Sequence, residues 1–316
     1  MEKINKAFRN LELKEATPEI GELIDRISSG MAILFAGAGF SVGTKNIQNQ
    51  EPPIAKQLSK AIARLGNFDE DEDLMFTSDY YLENCEVDPL IDFLKDQFTI
   101  NHTETPHDIV CSMAWRRIYT TNYDNAIAFS AAKNGRLIES ITIDQSPEDY
   151  LRKHNICVHI NGNISSINRD SLRKSFKLSN SSYLSPESFT ASPWYYPFKK
   201  DIERCSALVF VGYSLYDIDI QKVLFQSPEL KSKTYFIVKK DPSKKELFTL
   251  SKYGVVCPIG VEEFSKALEK KSEAKKQVKE ELWTEAFVEY KLKDTDIEMT
   301  DKAISDFLMH GNIDDA

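Results

Sequence analysis

Four groups of small and polar residues stand directly after apolar, strand-like runs of this 316-residue chain. The first is Gly37-Ala38-Gly39-Phe40-Ser41, which follows the apolar residues 32–36. A glycine turn at the end of a strand exposes several backbone N–H groups at one point, and Ser41 occupies the position expected of a helix N-cap. Backbone N–H groups at the start of a helix suit the diphosphate of a nucleotide. The same turn also occurs where a strand only has to bend tightly against a helix.

The other three groups carry side chains that could contact a ligand. They are Thr121-Asn122-Tyr123-Asp124, His159-Ile160-Asn161-Gly162 and Gly212-Tyr213-Ser214-Leu215-Tyr216-Asp217. Open α/β sheets bind ligands at the carboxyl ends of their strands, so we expect all four groups along one edge of a sheet. Each also has a purely structural interpretation: Asn122 would cap a loop, Asp124 would cap a helix, and His159 would lie in the core.

The elements that must position these groups alternate between strand and helix. Apolar and β-prone runs predict strands at 32–36, 116–121, 156–160, 207–211, 234–238 and 255–258. Between them, helices are predicted at 125–133, from 217 to about 225, and at 242–251. This alternation predicts an α/β fold, a Rossmann-like and mostly parallel sheet with helices on both faces.

Other segments surround this sheet. An amphipathic helix is predicted before residue 30, and residues from about 45 to 113 are predicted to form a helical insertion between the first two strands. The acidic run 69–73 is expected to be a solvated loop. The serine-rich segment 165–193 is expected to cover a site or to form a short hairpin.

The composition changes beyond residue 260, where charged helical sequence begins. We therefore predict one domain over residues 1–260 and a helical C-terminal extension over 261–316. Helices of this kind do not bury their apolar stripes unaided. The extension would pack back on the core, support self-association or begin a further domain.

The net charge, the apolar runs and the cysteines of the chain argue against several classes of protein. The formal net charge of −9 argues against a protein built mainly to grip nucleic acid. No apolar run is long enough to span a membrane and no signal peptide is evident, which predicts a cytoplasmic protein. The five cysteines are widely spaced without a CxxC pair, so neither a zinc ribbon nor a disulfide framework is indicated.

Taken in this order, the four groups resemble the sirtuin-like family over about residues 31–260. The resemblance is carried by Gly37–Ser41, by Thr120–Asp124, by the stretch 158–164, and by Gly212–Leu215 with Asp217. The last of these motifs and the missing cysteine pairs make the chain look less like the protein deacylases. It is more similar to the bacterial branch that hydrolyses NAD during defence against phage.

The resemblance implies NAD as the substrate and no metal. It implies that the backbone of 37–41 holds the diphosphate, and that Asn122 lies on the nicotinamide ribose and helps to place the attacking water. Asp124 would lie near the nicotinamide carboxamide or order the loop, and the stretch 212–217 would bound the adenosine end. The candidate catalytic residues are Asn122, Asp124, Asn161 and His159. The candidate NAD-binding residues are Gly37, Ala38, Gly39, Phe40, Ser41, Thr121, Gly162, Gly212, Tyr213, Ser214 and Asp217.

One position departs from the family pattern, which has His-Gly after the third strand. Here Asn161 precedes Gly162, and an amide does not titrate near neutral pH. His159 lies two residues earlier, and on a strand residues i and i+2 point the same way. Three explanations stay open: a base-free variant that relies on water placement, a shifted role for His159, or an inactivating replacement of histidine by asparagine.

The resemblance thus predicts an NAD glycohydrolase that releases nicotinamide and ADP-ribose, depleting NAD in abortive infection. Two alternatives are a non-hydrolytic sensor that binds NAD or ADP-ribose, and an NAD-dependent deacylase. A toxic NADase must be restrained, so we expect a homo-oligomer that responds to a phage protein or to a regulatory partner. Neither a membrane nor nucleic acid is indicated as a partner.

Overall fold

The computed structural model describes residues 18–184, 188–215 and 217–273. Its strands are β1 (Ile33–Ala36), β2 (Lys45–Asn46), β3 (Ile100–His102), β4 (Arg117–Thr120), β5 (Glu139–Thr142), β6 (Ile156–His159), β7 (Leu208–Val211), β8 (Thr234–Ile237) and β9 (Val255–Cys257). Seven of them form one sheet in the order β5-β6-β4-β1-β7-β8-β9. Every neighbouring pair in that sheet is parallel, which confirms the predicted α/β class.

The central strand β1 is buried along its whole length. Side chains alternate across a strand, and both faces of this sheet are covered, so the strand sequence is continuously apolar. Leu34 and Ala36 pack into the core on one face, whereas Ile33 and Phe35 pack into the core on the other. Two layers of helices therefore hold β1 and the loop that follows it.

The α-helices that are described surround the sheet and build the insertion. They are α1 (Pro18–Ile27), α2 (Ala55–Gly66), α3 (Leu74–Asn84), α4 (Val87–Phe98), α5 (Thr105–Ser112), α6 (Ala126–Lys133), α7 (Arg169–Arg173), α8 (Asn180–Leu184), α9 (Tyr195–Arg204), α10 (Ile218–Gln226), α11 (Lys244–Leu250) and α12 (residues 260–273). The core on one face of the sheet takes side chains from α1, α5, α6 and α12. The core on the other face takes side chains from α9, α10 and α11.

The insertion between β1 and β4 has its own apolar cluster. Helices α2, α3 and α4 contribute Leu58, Ile62, Tyr81, Leu90 and Leu94 to it, and the segment after β6 adds Leu172 and Phe176. The Asp73 side chain starts α3 by accepting hydrogen bonds from the backbone N–H groups of residues 75 and 76. The insertion thus has an apolar cluster of its own, which it shares with the segment after β6.

The structure adds elements that the sequence pattern missed. Strand β5 joins the edge of the large sheet, and β2 pairs with β3 in a small antiparallel sheet inside the insertion. The serine-rich segment holds α7, α8 and short 3-10 turns, so the hairpin alternative for 165–193 is wrong over the residues described.

The chain divides into two compact units at Glu269/Lys270. The first unit contains the whole seven-stranded sheet. The part of the predicted extension 261–316 that follows residue 273 lies outside the described residues.

Candidate functional site

The loops that follow β1, β4, β6 and β7 meet at one edge of the sheet. The Gly39 N–H donates to the Gly212 carbonyl at 2.8 Å, which joins the loops after β1 and β7. The Asn122 side-chain Nδ2 donates to the main-chain carbonyl of Gly37 at 3.0 Å. His159 Nδ1 donates to the main-chain carbonyl of Asn122 at 2.9 Å. These bonds bring all four predicted groups into one connected cluster at the carboxyl edge of the sheet.

The loops after β1 and β7 approach each other closely at Gly212. This residue has φ +62°, in the left-handed region that favours glycine. A Cβ at this position would lie 2.2 Å from the backbone nitrogen of Phe40 and 2.7 Å from the Gly39 Cα. The glycine is therefore required for the two loops to pack against each other.

A cavity of about 560 Å³ opens beside this cluster, between the sheet edge and the insertion. The sheet side contributes Ala38, Ser41, Thr121, Asn122, Tyr123, Asp124 and Asn161. The insertion contributes the turn 51–55, Leu58, the segment 72–75 and Phe98, and the serine-rich segment contributes Lys177, Leu178 and Tyr183. The alternative in which residues 165–193 cover a site thus agrees with the position of these three side chains.

Three side chains form a directed chain of hydrogen bonds on the cavity wall. Asn122 Nδ2 donates to Ser41 Oγ at 2.9 Å, and Ser41 Oγ donates to Asp124 Oδ2 at 2.7 Å. The other carboxylate oxygen, Asp124 Oδ1, accepts the backbone N–H of Ala126 at 3.0 Å. All three residues are buried, with Asn122 8% exposed. The chain links the loop after β1 to the loop after β4.

Burial is the main influence on the Asp124 carboxyl. It raises the pKa of Asp124 above its usual range, because the charged form loses its hydration. The hydroxyl of Ser41 and the N–H of Ala126 act in the opposite direction by stabilising the carboxylate. Asp124 accepts the N–H of Ala126, the first residue of α6, although the N-cap position of that helix is Asn125 and not Asp124 as the structural alternative had it.

His159 lies behind Asn122 and does not line the cavity. It is 1% exposed, and desolvation lowers its pKa from 6.5 to about 4. Because a carbonyl only accepts hydrogen bonds, Nδ1 carries the proton and Nε2 keeps its lone pair. Nε2 is buried without a partner among the described residues. The histidine therefore supports the loop that carries Asn122.

Asn161 reaches the cavity from the loop after β6. Its backbone carbonyl accepts the N–H of Lys177 at 2.8 Å, which fixes the serine-rich segment next to it. The following Gly162 has φ +102°, and a Cβ there would lie 2.7 Å from the Phe176 ring. The glycine allows that ring to pack below the loop, and the half-buried Asn161 side chain stays beside the cavity.

The loop after β1 differs from the prediction in three ways. Residues Ala38–Ser41 form a 3-10 turn followed by extended backbone at Val42, so Ser41 as a helix N-cap is wrong. The next α-helix in the chain begins only at Ala55, so the loop after β1 does not lead directly into a helix. The N–H groups of Gly37, Gly39 and Phe40 are also engaged by carbonyls of the protein. Ala38 and Gly39 are nevertheless exposed to solvent.

The loop after β7 lies next to the cluster but contributes no described residue to the cavity wall. The ring of Tyr213 is buried and stacks on Phe210 at 5.4 Å between centroids. Asp217 caps α10 by accepting the N–H groups of Asp219 and Ile220. Ser214 is exposed. Phe40, on the loop after β1, is also buried in the core, with its ring edge-on to His107.

Several residues of the cavity wall were not predicted. Lys177 is buried, and its Nζ donates to the carbonyls of Lys174 and Ser182 at 2.8 and 2.5 Å. The Tyr123 hydroxyl donates to the Lys177 carbonyl at 2.5 Å. On the insertion side, Pro52, Pro53, Ile54 and Met75 form an apolar wall. The Pro-Pro pair is a turn signal before α2, but only tertiary packing brings it to the sheet edge.

Over 18–184, 188–215 and 217–273, no group of three or more His, Cys, Asp or Glu side chains is arranged to hold a metal ion. Within the same part of the chain, none of the helices has the length and apolar character needed to cross a membrane.

A family model described as SIR2-like domain matches residues 116–257. The chain is also 26% identical over 264 residues to Defense-associated sirtuin 2 of Bacillus subtilis, a match that covers 80% of this chain. The chain spans about a quarter of the length of that curated relative, since the match covers 25% of it. These two matches confirm the predicted sirtuin-like resemblance.

Solved Sir2 structures align over most of the chain at low identity. One Sir2 enzyme covers 81% of this chain with a TM-score of 0.45 and 12% identity, and 99% of its own chain is aligned. A Sir2 variant with a deacetylated peptide and 3′-O-acetyl ADP-ribose covers 80% of this chain and 98% of its own, with a TM-score of 0.46 and 12% identity. With TM-scores this low, the fold assignment rests on the observed sheet order.

Proposed function

We propose that this chain, which matches a SIR2-like domain over residues 116–257, is an NAD glycohydrolase. It would cleave the bond between nicotinamide and ribose, giving nicotinamide and ADP-ribose. The observation that carries the proposal is the position of Asn122 and Asn161 on the wall of one cavity at the carboxyl edge of the sheet.

The reaction requires cleavage of one N-glycosidic bond, attack by water and stabilisation of positive charge on the ribose. The C1′–N1 bond breaks and its electron pair goes to N1, so the positive pyridinium ring leaves as neutral nicotinamide. Water oxygen then bonds to C1′, and one proton is released to solvent. Positive charge develops on the ribose in the transition state, and fixed polar groups around the ring stabilise it.

We assign roles to the residues on this basis. The side-chain carbonyl oxygen of Asn122, Oδ1, would accept a hydrogen bond from a ribose hydroxyl. The side-chain amide of Asn161 would orient the attacking water. Neither side chain titrates, so the rate would depend on orientation more than on base catalysis. The backbone at Ala38, an exposed residue that lines the cavity, is the proposed contact for the diphosphate.

A sensor that binds NAD or ADP-ribose without hydrolysis is the second candidate. It is favoured by Asn161, which stands where the family pattern has histidine, and by His159, which is buried outside the cavity wall. A deacylase is a weaker alternative, since the sequence has no CxxC pair for the zinc module of that branch.

Incubation of the purified full chain with NAD separates these candidates. Release of nicotinamide and ADP-ribose without an acyl acceptor supports the glycohydrolase. Binding of NAD without turnover supports the sensor, and consumption of NAD only with an acylated peptide supports the deacylase. Failure to bind NAD or ADP-ribose at all would sink the proposal.

We further propose that the activity serves defence against phage, which is motivated by the relationship to a defence-associated sirtuin. The catalytic loops would cleave NAD only after homo-oligomerisation or after a signal from a phage protein or a regulatory partner, which would restrain the enzyme until infection. Sizing and NAD cleavage measured together against protein concentration test this idea. A fully active monomer would contradict it.

A further inference from the structure

The orientation of the Asn122 amide is determined by two acceptors. One amide hydrogen goes to the Gly37 carbonyl at 3.0 Å, and a carbonyl can only accept. The other hydrogen goes to Ser41 Oγ at 2.9 Å. Turning the amide over would place its oxygen against both of these atoms, leaving two repulsive contacts in a buried position.

The role of Ser41 as an acceptor depends on Asp124. A serine hydroxyl has a single hydrogen, and here it is donated to Asp124 Oδ2 at 2.7 Å. Ser41 Oγ is therefore left with lone pairs toward Asn122. The Asp124 carboxylate is held in place by the Ala126 N–H at 3.0 Å, so the direction of the whole chain is defined.

The arrangement leaves the side-chain carbonyl oxygen of Asn122 available to accept a hydrogen bond from a ligand. Both amide hydrogens are used inside the protein, whereas Oδ1 accepts no hydrogen bond from the described part of the chain. Asn122 lines the cavity. Any ligand that contacts the end of this side chain therefore meets an acceptor, and the matching group is a hydroxyl or another donor.

We propose that Ser41 and Asp124 are positioning residues that hold the Asn122 carbonyl oxygen toward the cavity, where it selects a ligand hydroxyl. The inference rests on the proposed function only for the identity of that hydroxyl, a ribose hydroxyl of NAD or ADP-ribose. The positioning itself is a property of the free protein.

Side-chain amide exchange in the full chain measures the positioning without any ligand. The protein is labelled with ¹⁵N-asparagine, and the Asn122 amide resonances are identified by their loss in Asn122→Asp. We expect the amide hydrogens of Asn122 to exchange at least ~10-fold more slowly than those of Asn161, because both hydrogens of the Asn122 amide are hydrogen-bonded within the protein. Ser41→Ala should accelerate exchange by about 10-fold, and Ser41→Thr, which restores a hydroxyl, should reverse this.

Ser59→Ala is the matched control. Ser59 is buried and donates to Thr77 at 2.8 Å inside the insertion, so the variant removes a buried hydroxyl of the same kind from another place. It should leave Asn122 exchange unchanged. Equal exchange of Asn122 and Asn161 in the natural sequence, or an unchanged rate in Ser41→Ala, would overturn the proposal.

A pH titration tests the contribution of Asp124. The charged and titratable groups near its carboxyl are His107 on α5 and Cys157 on β6. The Asn122 amide resonances should shift as Asp124 takes up a proton, and Asp124→Asn should abolish this step. A step that persists unchanged in Asp124→Asn would remove Asp124 from the proposal.

Calorimetric binding of ADP-ribose then tests the ligand. Ser41→Ala should weaken binding about 10-fold, and Ser41→Thr should recover most of it. If the natural sequence binds no ADP-ribose, the proposed function fails, and the exchange measurements still decide the positioning. If Ser41→Ala binds as tightly as the natural sequence, the selection of a hydroxyl is wrong although the proposed function stands.

Discussion

His159 donates its Nδ1–H to the main-chain carbonyl of Asn122 across 2.9 Å, so the last residue of β6 holds the loop that follows β4. The imidazole is fully buried, and its Nε2 has no partner among the described residues. The contact fixes the backbone of the residue that reaches the cavity. It also places a titratable group where its charged form is strongly disfavoured.

The first prediction is an acid-dependent loss of stability caused by His159. The pKa of His159 is about 4 in the folded protein and 6.5 in the unfolded chain, so the unfolded chain binds the proton between these values. Stability from the neutral histidine is complete above pH 6.5 and is lost as the pH falls toward 4. Between pH 7.5 and 5 the loss should be about 2 kcal/mol, measured by urea unfolding.

His159→Asn is the control for this prediction, because an asparagine Nδ2 can donate to the same carbonyl without titrating. Asp124 acts with the opposite sign: its raised pKa favours the folded state as the pH falls. The difference between the natural sequence and the variant isolates the histidine. If the free energy of unfolding depends on pH in the same way in both proteins, His159 is not the cause of the acid-dependent loss.

Restoring histidine at position 161 should increase NAD cleavage. A histidine there would add a titrating group to the cavity wall, and positioned acid–base groups typically contribute about 100-fold or more to a rate. Asn161→His is therefore expected to release nicotinamide about 100-fold faster than the natural sequence, measured by product chromatography. If cleavage stays absent in a properly assembled Asn161→His protein, the glycohydrolase assignment should be abandoned.

Gly212→Ala should disrupt the contact between the loops after β1 and β7. The new Cβ would meet the Phe40 nitrogen at 2.2 Å, and the residue has a left-handed φ of +62°. The expected loss in the free energy of unfolding is about 2–4 kcal/mol, from strain and overpacking together.

Gly135→Ala separates the two causes of that loss. Gly135 has φ +69° but nothing within 4 Å of the position of a Cβ, so only the backbone conformation is strained. It should cost about 1 kcal/mol in the same denaturant measurement. Equal losses for the two glycine variants would show that close packing at Gly212 is unimportant.

Asp201→Asn should destabilise the sheet from its opposite end. Arg117 on β4 donates from Nε to Asp201 Oδ2 at 2.6 Å, and the Tyr119 hydroxyl donates to the same oxygen at 2.8 Å. Removing the carboxylate charge leaves the buried guanidinium without its partner, and we expect a loss of about 3 kcal/mol.

The control for this variant is Glu139→Gln, which breaks an ion pair that is half exposed on both sides. Lys153 and Glu139 are each 49% exposed in their side chains, so water screens their attraction. The loss should stay below about 1 kcal/mol in thermal or denaturant unfolding. A loss in Asp201→Asn as small as in Glu139→Gln would mean that the buried pair contributes little.

Local sequence determined most of the architecture of this protein. The apolar runs at 32–36 and 207–211 could only be strands buried on both faces, and their alternation with helical segments specified a parallel sheet. Since carboxyl ends of parallel strands share one edge, the order of Gly37, Asn122, Asn161 and Gly212 in the chain was enough to predict that they meet. Strand β5 was missed because Glu139 and Ser140 break its apolar pattern at the sheet edge.

Only the tertiary structure decided which atoms are available to a ligand. The sequence named Asn122, Ser41 and Asp124 as separate candidates, but hydrogen-bond partners more than eighty positions away in the chain consume the Asn122 hydrogens and the Ser41 hydroxyl. Burial alone distinguishes His159 from Asn161, two residues apart, because one faces the core and the other the cavity. Hydrogen bonding and desolvation depend on neighbours that are distant in sequence, and no local pattern encodes them.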